Sequence, residues 1–152
     1  MRCNAKKQIL PIVLIALNIL FIWGNSMLSK EQSHNLSAFF RDILRGIFDS
    51  SGGSDVISDH TVRKAAHVFE FLVLGVLLTL FYGKSKLRNC LMIIGGGVSV
   101  AAIDETIQIF SGRGPAVKDV LIDACGCLIG FLIVMLIKRM RSTKSAANNY
   151  SR

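Results

Sequence analysis

Four apolar runs, each about 18 to 22 residues long, decide what this chain can become: residues 8–28, 65–82, 89–110 and 119–137. At about 1.5 Å of rise per residue, each run reaches across roughly 30 Å of hydrocarbon as a helix. A helix closes its backbone hydrogen bonds on itself, which is the condition for standing in lipid. The chain has 152 residues, 51% of them hydrophobic and 18% charged. A water-soluble chain of that size builds one core and rarely contains four such runs. The fold class is therefore an all-α membrane protein with four transmembrane helices. The second run is the shortest and stands nearly upright. The third is the weakest, diluted by Gly95, Gly96, Gly97, Asp104 and Glu105.

Basic residues set the orientation. Arg2, Lys6 and Lys7 precede the first run, Lys84, Lys86 and Arg88 fill the short second loop, and Lys138, Arg139, Arg141, Lys144 and Arg152 follow the last run. None of these three segments holds an Asp or Glu, whereas the long first loop mixes Lys30, Arg41, Arg45, Arg63 and Lys64 with acids. Positive loops stay inside, so a multi-pass protein of the cell membrane with both termini cytoplasmic is expected. The net charge of +8 is then a cytoplasmic rim facing membrane lipids, and no nucleic acid is needed to explain it.

The first run resembles a secretory signal in its basic start. Its apolar stretch continues to Trp23, however, and no small-x-small pattern follows in Gly24, Asn25, Ser26, Met27 and Leu28, so an uncleaved helix is expected. Trp23 suits the outer aromatic belt. One membrane domain over residues 1–141 and a flexible cytoplasmic tail over 142–152 complete the organisation. Cys3 and Cys90 fall on the reducing side. Cys125 and Cys127, two apart on a helix, point to nearly opposite sides and serve packing rather than metal.

In the first loop, Leu36, Phe39, Phe40, Ile43, Leu44, Ile47 and Phe48 recur at helical spacing, with Arg41, Asp42 and Arg45 on the other face. Residues 36–48 are too few to span, so they form an amphipathic helix along the outer interface. It either packs over the bundle or serves as a lid. Residues 50–54, serine and glycine, supply a flexible connection. His34 and His60 are expected to be solvated in this loop.

Ionisable groups inside hydrocarbon each cost a few kcal/mol or more, so they tend to mark a site. Lys64, His67 and Glu70 lie three apart on one side of the second run. On the third, Gly97, Ala101, Asp104 and Gln108 form a small-and-polar stripe, with Glu105 about 100° round the helix. On the fourth, Asp119, Asp123, Gly126 and Gly130 form a stripe that is polar above and glycine below, suited to close helix approach. With alternating topology, His67, Glu70, Asp104 and Asp123 come to one level, roughly 5–10 Å below the outer boundary. Arg113 in the following turn, with Lys118, overhangs that level. Unpartnered ionisation of so many acids is implausible there. Three resolutions stand: interhelical ion pairs, retained protons, or a divalent cation bound by His67, Glu70, Asp104 and Asp123.

These residues carry a resemblance. Lys64-x-x-His67-x-x-Glu70-Phe71, then Asp104-Glu105-x-x-Gln108 with Arg113, then Asp119-Val120-x-x-Asp123-x-x-Gly126-x-x-x-Gly130 resemble, in order, three signatures of VanZ-like membrane proteins. They cover roughly half of the chain, and one departure is visible: Asp123 stands where the family pattern has Asn. The resemblance implies a multi-pass protein of the bacterial envelope, and the family's namesake is linked to resistance against the glycopeptide teicoplanin. It names no reaction.

Three functions fit. An envelope enzyme acting on a lipid head group or lipid-linked cell-wall precursor would draw an acid or activating group from Glu70, Asp104 or Asp123. His67 would be its base, and Lys64, Arg113 and Lys118 its phosphate contacts. A binding or shielding protein would need no chemistry. A proton- or ion-coupled transporter fits least, because the acids gather at one end rather than the midplane and no inverted repeat is evident.

Overall fold

A computed structural model describes residues 5–48, 58–82, 87–112 and 117–150. Five helices follow one another: α1 (Ala5–Ser26), α2 (Lys30–Phe48), α3 (Asp59–Tyr82), α4 (Leu87–Phe110) and α5 (Val117–Tyr150). No strand occurs among the described residues. The four expected spans lie in α1, α3, α4 and α5, over Ile9–Ser26, His60–Tyr82, Arg88–Phe110 and Val117–Thr143. The connection at residues 50–54, Arg113, Lys84, Lys86, Arg2 and Cys3 lie outside the described residues.

Helix starts differ from the apolar runs because capping side chains, not hydrophobicity, set them. Ser29 Oγ accepts from the Gln32 backbone N–H at 3.2 Å, and Gln32 Oε1 accepts from the Ser29 N–H at 3.1 Å. This reciprocal cap begins α2 at Lys30, six residues before the apolar period at Leu36. Ser58 Oγ likewise accepts from the Thr61 N–H at 3.2 Å, so α3 starts at Asp59 and Arg63 and Lys64 are already helical. α5 continues through the segment expected to be a tail, as far as Tyr150. Extending a formed helix through good helix formers such as Lys144, Ala146 and Ala147 carries no new nucleation cost.

α3 and α5 run parallel and meet backbone to backbone. A Cβ on Gly75 would overlap the carbonyl of Cys127, one on Gly126 that of Val68, and one on Gly130 that of Leu72. α4 joins at Gly97, whose Cβ would lie 2.6 Å from Cys127 Sγ. This is the close approach that small residues allow between helices in lipid, where packing rather than water exclusion drives association. Cys127 is thus an interface residue, but Cys125 points outward and is exposed, so only one of the two cysteines packs. Ile22, Phe71, Leu74 and Ala101 form the buried centre. Trp23 packs against that centre, with Nε1 donating to the Val100 carbonyl at 3.5 Å. The outer surface is aliphatic, with residues such as Leu17, Leu20, Leu132 and Leu136 more than half exposed.

α2 packs on α3 by an unexpected edge. Ser33 and Ser37 are buried, while Leu36, Phe39, Phe40 and Ile43 remain open. An amphipathic helix need not turn its apolar face to protein when acyl chains can cover it.

Candidate functional site

The end of α1, the starts of α3 and α5 and the end of α4 meet at one end of the bundle, beside α2. Lys64 Nζ donates to Asp119 Oδ1 at 2.7 Å, tying α3 to α5 where both side chains are about one-third exposed. One turn deeper on α3, His67 is nearly buried. Its Nδ1 lies 3.8 Å from Glu70 Oε2 and 3.9 Å from Asp104 Oδ2. Those separations exceed hydrogen-bond length.

The acids are held by amides. Asn25 Nδ2 donates to Glu70 Oε1 at 2.8 Å, from α1. Gln108 Nε2 donates to Asp104 Oδ2 at 2.7 Å and to Ser26 Oγ at 3.3 Å, and Ser111 Oγ donates to the Ser26 carbonyl at 2.9 Å. Gly112 then ends α4 in the left-handed region at φ 75°, where a glycine meets no steric penalty. Asp104 is 0% exposed and Asp123 2%, with Glu70, Glu105 and Gln108 also buried. Two of these carboxylate oxygens, Asp104 Oδ1 and Glu70 Oε2, have no hydrogen-bond partner among the described residues.

Two cavities open here. The first, about 290 Å³, has a basic wall of Lys30, His60, Arg63 and Lys64 facing an acidic one of Glu105, Asp119 and Asp123, with Gln108 beside it. The second, about 400 Å³, is bounded by Phe21, Leu36 and Phe40 and reaches down to Asn25 and Glu70. Arg63 and His67 stand in the wall of both.

The expected site residues therefore do not share a single pocket. Lys64, His67, Glu105, Gln108, Asp119 and Asp123 line the first cavity, Glu70 lines the second, and Asp104 lines neither, lying beneath their junction within reach of His67. Lys118 is exposed and lines neither cavity, and Arg113 lies outside the described residues. His60, expected to be solvated, is exposed yet belongs to the basic wall. Sequence reasoning misses Arg63, Lys30 and the α1 contribution of Asn25 and Ser26. A signal for the last existed: Ile15, Asn18, Ile22 and Asn25 repeat at alternating steps of three and four, so both asparagines of α1 share its inward stripe.

A family model described as VanZ/LLP1 matches residues 9–138. The "Uncharacterized membrane protein YwnJ" of Bacillus subtilis (strain 168) is 31% identical over 80 residues, 53% of this chain and 54% of that one. The match thus spans about half the length of that relative. No solved structure matches the chain.

Proposed function

The chain belongs to the VanZ/LLP1 family of membrane proteins, as its three motifs imply, and from that premise we propose that it binds envelope lipids with anionic head groups, or lipid-linked cell-wall precursors, at the junction of its two cavities. The single observation behind this reading is that Arg63 and His67 face both an ionic cavity and an aromatic one. An amphipathic ligand needs that juxtaposition. Its phosphate meets Arg63, Lys64 and His60, and its first hydrocarbon units lie against Phe21, Leu36 and Phe40. A soluble anion would have no use for the second cavity, and a plain acyl chain none for the first.

With the termini cytoplasmic, as the basic loops indicate, the junction faces outward, where precursors of the cell wall are presented. α2 is then the lip over which a lipid enters from the outer leaflet. Occupying or modifying such head groups changes what a glycopeptide meets at the surface, which is how the protein would contribute to teicoplanin resistance. In an enzymatic version of this reading, His67, 3.8 Å from Glu70 and 3.9 Å from Asp104, would be the base acting on a bound head group.

The test uses the purified full chain in detergent, with native mass spectrometry against phosphatidylglycerol, a polyprenyl phosphate and phosphatidylcholine. Retention of the two anionic lipids at least about tenfold above phosphatidylcholine is expected, falling by a similar factor in the Arg63→Ala, Lys64→Ala double variant; a tenfold change corresponds to about 1.4 kcal/mol. Equal retention of all three lipids, or no loss in the folded double variant, would end the proposal. Incubation of the same lipids with the protein, followed by product analysis, separates modification from shielding.

A further inference from the structure

His67 Nδ1 stands just beyond hydrogen-bond length from both Glu70 Oε2 and Asp104 Oδ2, yet too close to be independent of them. His67, Asp104 and Asp123 each offer one ligand atom, and all three atoms lie within 4.8 Å of one another. Around an ion with bonds of about 2.1 Å in tetrahedral geometry, ligand atoms stand roughly 3.4 Å apart, and wider angles take them to about 4 Å. The 3.9 Å between His67 Nδ1 and Asp104 Oδ2 falls in that range. Small side-chain rotations close the rest of the set on one point.

A second observation is independent of that clustering. Asp104 is 0% exposed, and its Oδ1 has no hydrogen-bond partner. Glu70 is 6% exposed, and its Oε2 is in the same condition, 3.8 Å from His67 Nδ1. A buried carboxylate oxygen left without a donor carries the full desolvation penalty of the group. Water could reach the cavity, but it brings no charge to set against the buried carboxylates of Glu70 and Asp104. Lys64 is already engaged with Asp119.

We infer that His67, Asp104 and Asp123 hold a divalent metal ion beneath the first cavity, with Glu70 beside it. One imidazole and two carboxylates on three helices match the mixed nitrogen and oxygen preference of Zn²⁺ and Mn²⁺. The Gln108 amide, donating to Asp104 Oδ2 at 2.7 Å, is the kind of outer hydrogen bond that orients a ligand carboxylate. The thiols play no part: Cys127 is packed against Gly75 and Gly97, and Cys125 faces away. This goes beyond the lipid reading and does not depend on it.

The experiment strips the detergent-purified full chain with a chelator and dialyses it against Zn²⁺ and, separately, Mn²⁺. Bound metal is then counted by elemental analysis, and helix content is followed by circular dichroism. One ion per chain is expected for at least one of the two metals, with a rise in the unfolding midpoint on loading. Asp104→Asn and Asp123→Asn each lower the affinity at least tenfold, Gln108→Ala lowers it by about tenfold, and Cys125→Ser leaves it unchanged. A folded wild-type chain that takes up neither ion overturns the proposal without recourse to any variant. So does stoichiometric uptake that both Asp variants leave intact. No lipid ligand enters this measurement, so its failure and that of the lipid reading are told apart.

Discussion

α3 and α5 face each other along two halves that solve the same problem in opposite ways. In the lower half, Gly75, Gly126 and Gly130 bring the backbones into contact and leave no room for a side chain. In the upper half, Lys64, His67, Asp119 and Asp123 of the same two helices line a cavity of about 290 Å³. In lipid, small-residue contact is the cheapest way to join helices. The upper half forgoes it and keeps polar groups that are costly to bury. On that contrast, stability is expected to be concentrated in the glycine half.

The largest effect is expected from breaking the lower half. Gly130→Leu places a branched side chain on the Leu72 carbonyl, and backbone cannot rotate away as a side chain can. A loss of about 3 kcal/mol or more in unfolding free energy, or failure to fold, is the expected outcome in a denaturant titration of the purified chain. Gly95→Ala is the control, since nothing lies within 4 Å of its Cβ. There the midpoint holds or rises slightly through helix propensity. Equal tolerance at both glycines would mean that α3 and α5 do not touch.

A smaller effect, of opposite sign, is expected from neutralising the upper half. Asp104→Asn keeps the shape and an acceptor for Gln108 while removing a charge from a fully buried position. In chelator, the variant should be as stable as the parent or more so, by about 1 kcal/mol, as happens where a site is kept at the expense of stability. A loss of more than about 2 kcal/mol would show that the acids are a structural ion network, and the contrast between the halves would collapse.

The lower half was the more legible in the sequence, because the spacing of Asp123, Gly126 and Gly130 is local and needs only a helix to become a stripe. The level of the acids was legible for a similar reason, since alternating spans bring the starts of α3 and α5 to the end of α4. What escaped were choices made by distant neighbours. Nothing near Asn25 announces that it meets Glu70, or near Ser26 that it meets Gln108. α2 shows a subtler limit. Its periodicity reports which face leaves water, not whether protein or lipid receives it, so Ser33 and Ser37 found α3 while Phe39 and Phe40 stayed open. The division of one expected pocket into two cavities has the same origin, because Phe21, Leu36 and Phe40 belong to three different turns of α1 and α2 that only the fold juxtaposes.

The smallest effect belongs to the Lys64–Asp119 pair, and it tests where the polar half begins. At 2.7 Å its geometry is good, but with both side chains about one-third exposed, water and ions screen the attraction. A double-mutant cycle of Lys64→Ala and Asp119→Ala should give a coupling of roughly 0.5–1 kcal/mol, shrinking as salt is raised. A coupling above about 2 kcal/mol that ignores salt would place the pair in a desolvated setting. The polar half would then have a structural latch at its mouth, and a ligand competing for Lys64 would have to break it. A weak, screened pair leaves Lys64 free to exchange Asp119 for a phosphate, which is what a head-group site at this mouth requires.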